Sequence, residues 1–154
     1  MRWNQGRNEI EQMLTNGELE RVPPSRAHAD RLMAQAGRHV TSAETICESD
    51  PEGAYDTLYD AARKSLWAIL ANEGLRPTTK GGHLAAYQAV RAQLDPPLGQ
   101  QLRPFDRMRR HRRDAEYPSV DTPELTADDV RDDLPLVRSI LEIAGGVLDT
   151  MPVY

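Results

Sequence analysis

The chain has 154 residues, 39% of them hydrophobic and 28% charged, with a net charge of -5 at pH 7. That length suits one domain with its own core, and the acidic total excludes a uniformly cationic nucleic-acid binder. The single cysteine, Cys47, excludes an internal disulfide. The start MRWNQGRNEIEQ carries no apolar signal segment, and no apolar run approaches the ~18 residues of a membrane span. A cytoplasmic protein is expected.

Residues 4–14 read as a short helix, with Ile10, Met13 and Leu14 apolar, ended by Asn16-Gly17. Glu18 to Val22 is ambiguous, and Pro23-Pro24 closes this segment of residues 1–24, which either packs on the body or projects as an arm. Ser25 is a good N-cap. After it Ala29, Leu32, Met33, Ala36, Val40, Ala43 and Cys47 recur at helical steps, which predicts a long amphipathic helix over about 26–48. Asp50-Pro51 supplies cap and first-turn proline for a second long helix. Its apolar face is Ala54, Tyr55, Leu58, Ala62, Leu66, Ile69 and Leu70. Gly74 stands where a left-handed cap belongs, followed by Leu75.

Arg76 to Gly82 reads as a loop, and His83 to Leu94 as a helix ended by Asp95-Pro-Pro97. A further helix spans about Leu98 to Glu116, with Leu98, Leu102, Phe105 and Met108 on its buried side. Pro104 is expected to kink or restart it. Thr126 and Asp129 form a capping box for a last helix, about 127–149, faced by Val130, Leu134, Val137, Leu141, Ala144 and Leu148. Pro135 is expected to bend it. No strand alternation and no repeat are visible. The prediction is an all-α helical bundle over residues 25–150 with a short extra N-terminal helix.

One stretch concentrates charge. Arg107 to Arg113 holds five arginines and His111, with only Met108 apolar, and runs on through Asp114, Glu116 and Tyr117 to Pro118. Residues 103–113 carry a net +5, which leaves -10 for the rest of the chain. On a helix, positions 107, 110, 111 and 114 share one side, and 109, 112, 113 and 116 another. So many guanidiniums cannot all be buried unpaired. One account is a solvated face with internal pairs, Asp106–Arg110 or Arg109–Arg113 with Asp114 and Glu116. The other is a phosphate-binding face, because like charges three and four apart cost helix stability that a polyanion relieves. Arg107, Arg109, Arg110 and Arg113 are then the nucleic-acid contacts. Metal-free cleavage of RNA needs a base, an acid and a cation. Arg112 is the candidate cation, His111 or Glu116 the candidate base, and Tyr117 a hydrogen-bond donor.

Other signals are weaker. Lys80-Gly-Gly-His83 offers a helix N-terminus to phosphate but lacks the full P-loop pattern. His28, His39 and His83 with Asp30 do not have metal-ligand spacing, so neither metal nor cofactor is expected. Tyr55, Tyr59 and Trp67 read as core or dimer interface, and Cys47 as a small core residue. The acidic run Asp121 to Asp133 either shields the arginines or simply favours a helix start.

Two stretches carry a family likeness: the Tyr- and Ala-rich helix from Ala54 through Gly74-Leu-Arg-Pro-Thr-Thr-Lys-Gly-Gly-His83, and Arg112-Arg-Asp-Ala-Glu-Tyr117. Together they resemble the HEPN superfamily (higher eukaryotes and prokaryotes nucleotide-binding), over about residues 26–149. The resemblance implies an antiparallel four-helix bundle, usually a homodimer, whose Arg-motif helices meet at a shared cleft. It implies metal-independent ribonuclease activity, often as a toxin, and a minimal nucleotidyltransferase as antitoxin partner, which in some pairs adenylylates a tyrosine near the motif. The family motif is commonly Arg, four to six residues, then His. Arg112 matches the arginine with Tyr117 in the histidine's place. Alternatively Arg110 matches it, with Ala115 in the histidine's place and Tyr117 two residues later. His111 follows Arg107 with one residue too few between.

Two functions are therefore expected. One is a HEPN-type homodimer in a toxin–antitoxin or defence pair, acting on RNA as ribonuclease or binder, with Arg109, Arg112 and Arg113 on phosphate and Glu116 and Tyr117 at the cleft. The other is a non-catalytic module docking a nucleotide or a nucleotidyltransferase partner, with Tyr117 as the modified residue. The absent motif histidine favours the second. A purely structural dimer is a third reading.

Overall fold

The computed structural model describes residues 3–154. In chain order it runs α1 (Arg7–Thr15), β1 (Leu19–Arg21), α2 (Arg26–Ile46), α3 (Pro51–Glu73), β2 (Leu75–Pro77), α4 (Gly82–Leu94), α5 (Gly99–Glu116) and α6 (Ala127–Leu148). The class is all-α in general.

The caps read from the sequence form as local chemistry dictates. The Ser25 hydroxyl accepts from the His28 backbone N–H, and the Asp50 carboxylate accepts from Gly53 with Pro51 in the first turn. Thr126 and Asp129 satisfy each other's backbone donors in a capping box. Gly74 ends α3 with φ +87°, its N–H turned back to Leu70 and Ala71 carbonyls.

α3 is the centre. Twelve of its 23 residues are buried, because Ala, Tyr and Leu occur on every side of it rather than on one stripe. It packs on α2, α4, α5 and α6. One continuous core joins Leu58, Leu66 and Ile69 of α3 to Val40, Ala86, Phe105, Met108 and Val137. At the surface, Arg138 of α6 reaches Glu44 of α2 at 2.7 Å, and Arg131 reaches Glu48.

Two expectations are corrected. The sequence showed no strand, yet β1 and β2 pair antiparallel, with Leu19 opposite Pro77 and Arg21 opposite Leu75. Three residues per strand are too few to display an alternating pattern. Pro104 does not restart its helix, since α5 runs on through it, as α6 does through Pro135. The carbonyls that lose a partner belong to Gln100 and Arg131, both exposed residues on the solvent side of their helices.

Residues 3–22 are packed onto the body. Ile10 and Met13 are buried, and the Trp3 indole N–H donates to the Gln93 carbonyl at 3.1 Å. The C-terminal residues close over the same end. The Tyr154 hydroxyl donates to Glu11 at 2.8 Å, and its ring lies under Arg7 and Arg21.

Candidate functional site

α5 has Leu102, Phe105 and Met108 facing the core, so its arginines emerge along both flanks and the outer side. Three fates follow for the cluster. Arg107 turns to α6, where its two terminal nitrogens lie 2.5 and 3.4 Å from the Asp133 carboxylate. Asp133 is buried and also accepts the Tyr55 hydroxyl at 2.8 Å. Burial, then the Asp133 charge, pushes the Tyr55 phenol far up, so it stays a donor.

Arg109 and Arg112 turn to the opposite flank. Arg109 is held by Asp106 at 2.9 Å. Arg112 donates through Nε to Asp56 of α3, lies 3.5 Å from Glu116, and sets its guanidinium over the Tyr59 ring at 5.3 Å. The hydrogen bond it donates to Asp56 raises its pKa further. Arg112 and Glu116 line a cleft of about 280 Å³ with Glu52, Tyr55, Asp56 and Leu125.

Arg103, Arg110 and Arg113 face outward and are exposed. Their acids are weakly placed, with Asp106 3.5 Å from Arg110 and Asp114 3.9 Å from Arg113. Among the described residues Arg103 has no ion pair. This outer strip is cationic in excess of its two aspartates. The expected Asp106–Arg110 pair exists, while Asp114 and Glu116 serve Arg113 and Arg112 respectively.

The four candidate catalytic residues divide between two neighbouring depressions. Arg112 and Glu116 share the cleft just described. His111 and Tyr117 line another of about 340 Å³, with Asp114, Ser119 and Thr122. His111 packs edge-on to Tyr55, ring centroids 5.1 Å apart. Tyr117 is 75% exposed and ends α5. Within one copy of the chain, then, the imidazole and the phenol line a different depression from the Arg112 guanidinium.

The other sequence signals resolve into structure. Lys80 donates to the Asn16 carbonyl at 2.7 Å and Thr78 to Gly17 at 2.5 Å, which pins the β2–α4 loop to the α1–β1 turn. His39 contacts Lys64 at 2.8 Å, and burial followed by the Lys64 charge holds its pKa down. His28 is exposed, Tyr55 and Tyr59 are core, and Cys47 is buried. Among the described residues, no group of three or more His, Cys, Asp or Glu side chains is arranged to hold a metal ion, and no helix is long and apolar enough to cross a membrane.

Residues missed by local spacing complete the picture. Asp56 is 56 positions from Arg112, and Asp133 is 26 from Arg107. His83 joins Tyr59 across 24 positions, at 2.7 Å between Nδ1 and the hydroxyl. No protein-family model, curated protein or solved structure matches this chain.

Proposed function

We propose that the protein is a cytoplasmic, HEPN-type four-helix-bundle homodimer that engages RNA through α5, as one component of a toxin–antitoxin or defence pair. The observation that supports this most is the split of the arginine cluster. Arg107, although half-exposed, is committed to Asp133, while Arg103, Arg110 and Arg113 are exposed on the same helix as Arg112 and at most weakly paired. Exposed guanidiniums in a row meet the phosphates of a backbone and read no sequence by themselves. If the protein cleaves RNA, Arg112 stabilises the phosphorane, and a second copy brings the other groups to the shared cleft.

Binding without cleavage is the second reading, with a nucleotide or a minimal nucleotidyltransferase as the docked partner. It is favoured by the packing of His111 on Tyr55, in the depression next to the Arg112 cleft, and by the exposure of Tyr117, whose hydroxyl is accessible to modification.

The two readings separate on incubation of purified protein with total RNA in EDTA, beside Arg112→Ala. Degradation by wild type alone supports the ribonuclease. Equal degradation by both proteins, or none by either, removes the enzyme reading.

A further inference from the structure

A polar cluster next to the Arg112 cleft is built from three helices. His83 stands in the first turn of α4, and its Nδ1 meets the hydroxyl of Tyr59, a residue only 1% exposed. Burial pushes the Tyr59 phenol up to about 12, against the pull of Arg112, Arg109 and Arg63. The phenol therefore keeps its proton at neutral pH. Its one hydrogen-bond partner among the described residues is the His83 nitrogen, so Tyr59 donates and Nδ1 accepts. Burial first, then Arg63 and Arg112, holds the His83 pKa down, with Asp60 acting the other way. The ring is neutral at pH 7 and carries its own proton on Nε2. Among the described residues that Nε2–H has no protein partner. The one enclosed unpaired side-chain atom there is the Trp67 indole nitrogen, so Nε2 is open to solvent.

Arg63, Arg112 and Arg109 each add positive potential at this ring, and each is held by an acid. Arg63 lies over Trp67 at 4.4 Å, and Trp67 packs edge-on to His83. The Nε and one terminal nitrogen of Arg63 both meet the same Asp60 oxygen, at 2.7 and 2.6 Å. Arg109 is held in the same way by Asp106. Arg112 gives its Nε to Asp56. Each acid thus fixes one edge of a guanidinium and leaves further N–H donors uncommitted.

We propose that His83, Arg63 and Arg112 form a subsite for one phosphate group of a nucleotide, with the His83 Nε2–H and the free guanidinium edges as donors. A tetrahedral oxyanion accepts hydrogen bonds from several directions at once, which suits donors on three helices better than a planar carboxylate does. The uncharged imidazole adds a donor with no further positive charge. That the phosphate belongs to a nucleotide rests on the RNA reading above; the donor arrangement does not.

The test follows the His83 ring Cε1–H signal by NMR at pH 7.5, assigned with His83→Gln, during titration with 5′-AMP, inorganic phosphate and adenosine. AMP and phosphate are expected to shift it saturably and adenosine to leave it in place. Arg63→Gln is expected to weaken AMP at least fivefold with its melting temperature within a few degrees of wild type. A silent His83, an equal shift with adenosine, a response to inorganic phosphate alone, or undiminished AMP affinity in Arg63→Gln overturns the subsite. RNA binding with a silent His83 removes the subsite and keeps the RNA reading. An AMP response without RNA binding does the reverse.

Discussion

Arg107 and Asp133 are joined across α5 and α6 by two N–H···O contacts of 2.5 and 3.4 Å, and the same carboxylate accepts the Tyr55 hydroxyl of α3. One buried acid therefore fastens three helices. Asp133→Ala strands a buried phenol and a guanidinium, and is expected to cost about 3 kcal/mol in urea unfolding. Tyr55→Phe is expected to cost about 1 kcal/mol. Equal stability of Asp133→Ala and wild type contradicts this role.

Glu73 is the other buried acid, 2% exposed, with one hydrogen bond from Gln93 at 3.1 Å. Burial raises its pKa from 4.5 to about 8, against the Gln93 hydrogen bond. Below the unfolded value both states are protonated and the full stability is present. As pH rises towards the folded value, the unfolded chain has lost the proton and the folded one has not, so stability falls by up to about 1.4 kcal/mol per pH unit. Glu73→Gln is expected to be more stable than wild type at pH 8, with the difference gone near pH 4. Urea melts at pH 4, 6 and 8 read it directly. A constant difference across that range speaks against the buried acid.

Gly74 and Gly17 separate backbone strain from crowding. Both have positive φ, +87° and +75°. A Cβ on Gly74 meets the Val22 carbonyl oxygen at 2.9 Å and the Pro24 ring, while one on Gly17 meets nothing. Gly17→Ala is expected to cost about 1 kcal/mol and Gly74→Ala distinctly more. Thermal melts in which the two variants lose equally remove the crowding argument.

Much of the helical frame was legible because its causes are local. Ser25, Asp50-Pro51, Gly74 and Thr126 with Asp129 each mark a terminus through a bond within four residues. The ribbon was not legible, since Leu19–Arg21 and Leu75–Pro77 are too short for a period and are held by each other. The arginine cluster was legible as a cluster only. Its division depends on Asp56 and Asp133, which the fold brings in from other helices. His83 was noticed as a loop-end residue, and its link to Tyr59 was hidden for the same reason.

The shared-cleft proposal places a second copy near the end of α5. Tyr117 is 75% exposed there and Val120 fully so, and both line depressions next to the Arg112 cleft. Light scattering is expected to give twice 17.3 kDa for the wild type, and a single-copy mass for Val120→Asp. A wild-type monomer at tens of micromolar removes the shared cleft.

The most direct measurement is RNA affinity against salt, by fluorescence anisotropy on a labelled single strand, for wild type, Arg107→Gln and the double variant Arg110→Glu/Arg113→Glu. Wild-type affinity should fall steeply between about 50 and 200 mM salt as counterions return to the phosphates. The double variant should bind at least tenfold more weakly with a shallower salt slope. Arg107→Gln should keep the wild-type slope, because its charge is committed to Asp133. RNA binding that is undetectable at low salt, or unchanged in the double variant, contradicts the account.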